Sequence, residues 1–395
     1  MTNIGVQEQT AKHILPILAK HYSLVMKRFL SFSLVLLSLS AGTNALCDTG
    51  RVFRHQKHAT RAKFAALQDR WSEKRATAWY KQQPWIVGCN FIPSTAINEL
   101  EMWQADTYDA PTIDRELGYA QSIGFNTIRV FLHDIPWQTD SSGFISRIKS
   151  LLTIASKHKI KPLFVLFDDC WGPDPQPGRQ PDPKPSVHNS GWVQAPGKAI
   201  HNDSTKWAPL ENYTKGILRT FGKDKRILLW DLYNEPGNSK YGEETLPLLK
   251  KVVEWTRSVP HVQPLSMGIW YEDKALNEFQ LSHSDVTTFH NYGDAASLEK
   301  QIKELLTLGR PVICTEYMAR THNSRFITHL PVFKKYNIGA INWGLVKGKT
   351  NTIYAWDTPE GSPQPKIWFH DIFTADGKPF DVRETQFIKR ETSSR

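Results

Sequence analysis

From about residue 85 onward, apolar runs of strand length alternate with longer stretches in which apolar residues recur every three or four positions. The first kind reads as strands at Trp85–Phe91, Asn126–Leu132, Lys161–Asp168, Ile227–Tyr233, Pro264–Ile269, Asp285–His290, Arg310–Glu316 and Gly339–Trp343. The second reads as amphipathic helices at Thr112–Ile123, Gly143–His158, Glu243–Val259, Ala295–Leu308 and His322–Tyr336. In Leu298, Ile302, Leu305 and Leu306, for example, the 3–4 spacing gives one face that can pack on a sheet. Strand–helix alternation implies parallel strands with crossover helices, and eight such repeats favour closure into a (β/α)8 barrel over an open sheet. Neither GxGxxG nor GxxxxGK[ST] follows an early strand, which counts against a nucleotide-binding fold.

Two segments interrupt the alternation. Residues 171–205, rich in Pro, Gly and Asp, follow the third strand, and residues 344–370 follow the eighth. Connections of this length usually form walls or lids of a site. Asp371–Val382 reads as a short hairpin turning at Asp376-Gly377. The domain reading is a leader at 1–45, a helical extension at 46–80 beneath the barrel, the barrel itself at 81–382, and a C-terminal helix or tail at 383–395.

The leader carries its own signal. Met26-Lys27-Arg28 precedes an apolar run, Phe29 to Ala41, with small residues at Thr43 and Ala45. A basic start, a short apolar stretch and small residues are the parts of an export signal, so Met26 is read as the start and Ala45 as the cleavage point. The run is too short to span a bilayer. Cys47 raises the idea of a lipid anchor, which Leu46 before it fits poorly. Export, periplasmic or secreted, is the expectation. Of the formal charge of +10, residues 1–45 contribute +3, from four Lys or Arg against one Glu. The remainder is spread, with no basic, aromatic-interleaved run of the kind that binds nucleic acid. The cysteines Cys47, Cys89, Cys170 and Cys314 lack metal-finger spacing, and the last three fall near strand ends, where buried thiols are expected.

In a barrel of this class the chemistry lies at the C-terminal strand ends. There the sequence has Arg129 and His133-Asp134 on strand two, Asp168-Asp169-Cys170-Trp171 on strand three and Asn234-Glu235-Pro236 on strand four. It has His290-Asn291-Tyr292 on strand six, Glu316-Tyr317 on strand seven and Trp343 on strand eight. Strands four and seven lie roughly opposite, so Glu235 and Glu316 should face each other across the mouth. Cleaving a glycosidic bond needs such a pair, one acid to protonate the leaving oxygen and one carboxylate to attack the anomeric carbon. The substrate would be an oligo- or polysaccharide, with no cofactor or metal. Fourteen tryptophans suit sugar stacking. Trp103, Trp137, Trp171, Trp192, Trp207, Trp270 and Trp356 fall in or near rim segments, although core packing accounts equally well for any single one.

These motifs resemble glycoside hydrolase clan A, and within it family 5, the cellulase and mannanase family. Trp230-Asp231-Leu232-Tyr233-Asn234-Glu235-Pro236 resembles the clan's strand-four signature, and Pro311-Val312-Ile313-Cys314-Thr315-Glu316-Tyr317 its strand-seven signature. The resemblance runs from about Trp85 to Trp343. It implies Glu235 as general acid/base and Glu316 as nucleophile of a retaining mechanism. It further implies Asn234 bonding a sugar 2-hydroxyl, Arg129 and Tyr292 holding Glu316, His290 beside Glu235, and Trp343 under the ring. One place departs from the pattern. Where many members carry a His at the end of strand three, this chain has Asp169 or Cys170. Asp168 and Asp169 could bind sugar hydroxyls or cap a loop, and Trp171 could stack on sugar.

Other functions fit less well. A metal-dependent barrel hydrolase typically needs His-x-His after strand one, where this chain has Asn90-Phe91-Ile92-Pro93-Ser94. A Schiff-base aldolase needs a strand-end Lys, and Lys347 and Lys349 lie beyond strand eight. A non-catalytic carbohydrate-binding barrel would keep the tryptophans and lose a carboxylate, but both carboxylates are present. The β-1,4-mannan, glucan and xylan types, and endo, exo or transglycosylating modes, remain open.

Overall fold

A computed structural model of the chain describes residues 67–393. The leader, Cys47 and most of the expected N-terminal extension lie outside the described residues. Eight parallel strands run in the order β5-β4-β3-β2-β1-β8-β7-β6. They are β1 Val87–Asn90, β2 Thr127–Phe131, β3 Lys161–Val165, β4 Trp230–Asp231, β5 Leu265–Ser266, β6 Thr287–His290, β7 Val312–Glu316 and β8 Gly339–Asn342. Beyond the end of β5, Ile269 bridges to Phe289 of β6 in parallel, which closes the ring. The fold is the expected (β/α)8 barrel.

Every predicted strand contains an observed one, and the regular ladders are shorter. The difference is largest at β4 and β5, where strict pairing covers two residues each. Backbone bonding nonetheless continues past both ends of β4, from Leu228 N to Pro162 O at 2.8 Å and from Asn234 N to Phe167 O at 2.7 Å. The predicted helix at Gly143–His158 is the second half of a longer element, Asp134–Lys157, broken at Asp140 (φ −155°, ψ 71°). Asp140 acts as the cap of that half, accepting from Gly143 N at 2.9 Å. The helix Ala110–Ser122 starts on the Asp109 cap with Pro111 in its first turn, and ends before Gly124, which takes φ +82°. The hairpin after residue 371 turns at Thr374–Gly377, and Phe373 pairs antiparallel with Pro379.

The strand period of two sorts the core into two layers. Ile86, Phe131, Leu163, Val165, Leu229, Ile313 and Ile341 fill the inside of the barrel. Ile128, Val130, Phe164, Trp230, Val312 and Cys314 face the surrounding helices. On β2 the inward positions are therefore Thr127, Arg129 and Phe131. Alternation alone sends a guanidinium into the barrel, where it is fully buried. Asp231 stands on the same inward face of β4 as Leu229, and it is this acid that meets Arg129. No helix among the described residues is long and apolar enough to cross a membrane.

Candidate active site

Arg129 organises the mouth of the barrel. Its Nε and Nη2 donate to Asp231 Oδ2 at 3.0 and 2.8 Å, Nη2 to Asn234 Oδ1 at 2.7 Å, and Nη1 to Asn90 Oδ1 at 2.9 Å and to Glu316 Oε1 at 2.8 Å. One planar fork thus ties strands β1, β2, β4 and β7 together, which a lysine ammonium could not do.

Glu316 reaches the same spot through a slip in the ladder. Phe289 and His290 of β6 pair with Cys314 and Glu316 of β7, so Thr315 is an extra residue. A one-residue insertion re-aims the side chain that follows it, here Glu316 onto the side of His290. Tyr292 Oη donates to Glu316 Oε2 at 2.8 Å. Glu235 sits in a turn after β4 with φ +43°, a left-handed backbone that a non-glycine residue holds only at a cost of about 1–3 kcal/mol. Asn238 Nδ2 donates to Glu235 Oε2 at 2.5 Å, and the Cys170 thiol lies 3.3 Å from the same oxygen. His290 Nδ1 is 2.8 Å from Glu235 Oε1 and 3.5 Å from Glu316 Oε2. One oxygen of each glutamate and a nitrogen of His290 all lie within 4.8 Å of one another. The trio has the donor types for a cation, but the Arg129 guanidinium already holds the positive position against Glu316.

Burial pushes the pKa of both glutamates above the ordinary carboxylate value. Their partners differ. Glu316 accepts from a guanidinium and a phenol, and Glu235 from a neutral amide and a thiol. Donors that bind the charged form, above all a cation, favour ionisation, so the partners of Glu316 support its charged form more strongly than those of Glu235 do. Burial lowers His290 to about 4, so the imidazole between them is neutral near pH 7. Burial also holds the Cys170 thiol well above its usual value, which leaves it a donor.

A cleft of about 420 Å³ opens over this pair, lined by Asn234, Tyr292, Trp343 and Trp171 among others. The structure brings together Glu235, Glu316, Arg129, Asn234, His290, Tyr292 and Trp343. Asp169 is a correction. It is fully buried and absent from the cleft lining, because its carboxylate is consumed by Tyr233 Oη at 2.6 Å, Thr245 Oγ1 at 2.7 Å, Gly237 N at 2.8 Å and His201 Nε2 at 3.0 Å. It braces the turn that carries Glu235 and is turned away from the cleft. Its neighbour Asp168 does line the cleft, accepting from Asn234 Nδ2 and Trp192 Nε1 at 2.8 Å each. Of the seven tryptophans expected near the rim, Trp171, Trp192, Trp270 and Trp356 reach the cleft. Trp103, Trp137 and Trp207 do not. Trp103 is buried with its indole N–H on Phe131 O, Trp137 packs on Tyr213, and Trp207 packs on Trp255. Cys89, Cys170 and Cys314 are free, buried thiols. Sequence reasoning missed Asp231, Asn238, His188 and the contact of Cys170 with Glu235. For Asp231 there was a signal, an acid two positions from an inward leucine in an otherwise apolar strand.

The chain matches the family model described as cellulase (glycosyl hydrolase family 5) over residues 103–349. No curated protein matches its sequence. Among solved structures it is similar to the endo-β-1,4-mannanase from Thermotoga petrophila, at 14% identity and a TM-score of 0.52, over 80% of this chain and 77% of that one. It is also similar to the exo-β-1,4-mannosidase Op5Man5 from Opitutaceae bacterium strain TAV5, at 17% identity and a TM-score of 0.55, over 78% of this chain and 58% of that one. A third likeness is to the GH5_18 protein from Streptomyces cattleya in complex with GlcNAc, at 13% identity and a TM-score of 0.52, over 79% of this chain and 81% of that one. These likenesses are of fold.

Proposed function

Because the chain belongs to glycosyl hydrolase family 5 and is therefore a glycosidase acting on carbohydrate, we propose that it is a retaining β-glycosidase in which Glu235 is the acid/base and Glu316 the nucleophile. The observation that carries the reading is the short gap between two carboxylates with unlike partners, within 4.8 Å at their nearest oxygens. A separation of about 5–5.5 Å leaves no room for an intervening water and suits direct attack, whereas inverting pairs stand roughly 6.5–9.5 Å apart.

The sugar ring lies over Trp343 with its anomeric carbon toward Glu316. Glu316, held ionised by Arg129 and Tyr292, attacks that carbon while the proton on Glu235 passes to the departing oxygen. The bond to Glu316 forms as the glycosidic bond breaks, giving a covalent glycosyl-enzyme. Glu235, now a carboxylate, takes a proton from water, whose oxygen displaces Glu316. Two inversions restore the starting configuration. His290, neutral and 2.8 Å from Glu235, accommodates both of its protonation states. Asn234 is fixed by Arg129 on one side and Asp168 on the other, and its second amide N–H, now facing only the Cys170 sulfur at 3.4 Å, is free to bond a 2-hydroxyl. A β-1,4-linked mannan-type glycan is the substrate we favour, since a mannanase and a mannosidase stand among the similar structures. The export signal after Met26 puts the enzyme outside the cytoplasm, where such glycans are met.

Proton NMR of the first-formed product tests the mechanism. Retained configuration, together with labelling of Glu316 by a 2-fluoro-glycoside, is expected. An inverted first product would make Glu316 a base acting on water and end the retaining reading.

A further inference from the structure

The rim of the barrel is built unequally on its two halves. On the half formed by β8, β1, β2 and β3, the long connections after β1, β3 and β8 are bonded into one wall. Asn189 N donates to Thr350 O at 2.8 Å, His188 Nδ1 to Tyr354 O at 2.8 Å, Asn351 Nδ2 to Lys184 O at 2.9 Å and Gly361 N to Pro185 O at 3.1 Å. The connection after β1 joins both, with Asn98 Nδ2 on Gly191 O at 2.8 Å and Lys349 N on Ser94 O at 3.0 Å. On the other half the connections after β5 and β6 are short, residues 267–273 leading to the helix Lys274–His283 and residues 291–294 to the helix Ala295–Leu306.

The reacting groups are oriented across this asymmetry. Trp343 stands on the walled side, braced by Phe131 and Trp192 at ring distances of 5.9 and 5.6 Å. Glu235 stands toward the low side, with Asn238, Ser239 and Trp270 beyond it along the cleft. A sugar that rests on Trp343 and gives its glycosidic oxygen to Glu235 therefore sends its leaving group over β4 and β5, toward Trp270. The opposite end of that sugar meets the wall at His188, Asn189 and Trp192. Trp171 crowns that wall with φ +70°, a strained backbone for a tryptophan, and its ring stacks on His188 at 5.7 Å.

We infer that the enzyme is exo-acting, taking a single sugar from the non-reducing end of a β-linked oligosaccharide because the fused loops after β1, β3 and β8 leave no passage behind the terminal sugar. This rests on the glycosidase reading above and adds the mode of attack. The full-length mature chain is offered aryl β-mannoside, β-glucoside and β-xyloside. A pentasaccharide of the sugar it accepts, carrying a fluorescent tag at the reducing end, follows. The expected products are free monosaccharide and tagged tetrasaccharide, then tagged trisaccharide, in strict order. Methylating the terminal 4-hydroxyl should cut the rate by at least about a hundredfold, because the added group meets the wall and leaves its polar atoms unpaired. Tagged disaccharide or trisaccharide as the first product, or undiminished cleavage of the capped substrate, overturns the exo mode and leaves the glycosidase reading intact. Failure to cleave any β-glycoside or any of the corresponding pentasaccharides overturns that reading, and the exo mode with it.

Discussion

Tyr292→Phe isolates the charge on Glu316, the proposed nucleophile. The phenol donates to Glu316 Oε2 at 2.8 Å, and its ring packs edge-on against Trp356 at 5.0 Å. Phenylalanine keeps the ring packing and deletes only the donor. A hydrogen bond to an ionised group is worth about 1.5–3 kcal/mol. At 1.36 kcal/mol per factor of ten, its full loss costs about ten- to a hundredfold in kcat/KM at pH values below the ionisation of Glu316 in both proteins. The sign with pH follows from the partners. Tyr292 favours the ionised form, so its removal raises the pKa of a carboxyl that burial has already raised, and the acid limb of the profile moves to higher pH. The deficit should be deepest at low pH and narrow as pH rises, while the alkaline limb, set by the proton on Glu235, stays in place. The assay is kcat/KM on an activated aryl glycoside from about pH 4 to 9, since the free-enzyme ionisations govern that ratio. A uniform loss at every pH, with the acid limb unmoved, would mean that Tyr292 orients Glu316 without affecting its charge, and the ionisation argument would be wrong.

Glu235→Gln should slow poor leaving groups by about a hundred- to ten-thousandfold and spare activated aryl glycosides far more, because only the former need a proton; equal losses on both would remove Glu235 from the acid role. Asp169→Ala should destabilise the fold by roughly 3–5 kcal/mol, since it strands His201 and three further donors in a buried site, and urea denaturation compared with wild type checks it; an unchanged midpoint refutes the assignment. Protein recovered from the native host should begin near Leu46, and N-terminal sequencing that finds an intact Met1 or Met26 start would rule out cleavage of the leader.

How far the sequence speaks depends on whether a feature is local. Strand number, order and the inward position of Arg129 follow from alternation, which is a property of a few adjacent residues. The termini of β4 were less legible because its pairing there is kept up by single bonds to Pro162 and Phe167. Glu316 was found by its place at a strand end, yet the slip at Thr315 that turns it inward is a property of two strands together. The adjacent pair Asp168 and Asp169 shows the limit. Both end the same strand, and nothing in their sequence separates them. Asp168 faces the cleft and Asp169 faces away because the chain has left regular pairing at Val165, so the alternate positions are decided by Thr245, His201 and Tyr233, residues far along the chain. Trp103, Trp137 and Trp207 failed as rim residues for the same reason, since a tryptophan beside a strand end can turn to a helix as readily as to the cleft.

The place of Asp231 bears on how Glu316, the proposed nucleophile, could be reactive. A carboxylate paired alone with a buried guanidinium is well stabilised, and that stabilisation opposes attack. In this barrel Arg129 gives two of its donors to Asp231, at 2.8 and 3.0 Å, and only one to Glu316. Asp231 lies on the strand floor beneath the cleft and is fully buried. The single positive charge is thus shared downward. Glu316 receives part of it, and its other oxygen is held by the phenol of Tyr292, a partner easily weakened as charge leaves the carboxylate. Among the described residues, Glu235 meets an amide, a thiol and an imidazole, with no guanidinium or ammonium in direct contact. The difference between the two glutamates therefore originates one layer below the site, in an arginine and an aspartate that the period of two points into the same barrel interior.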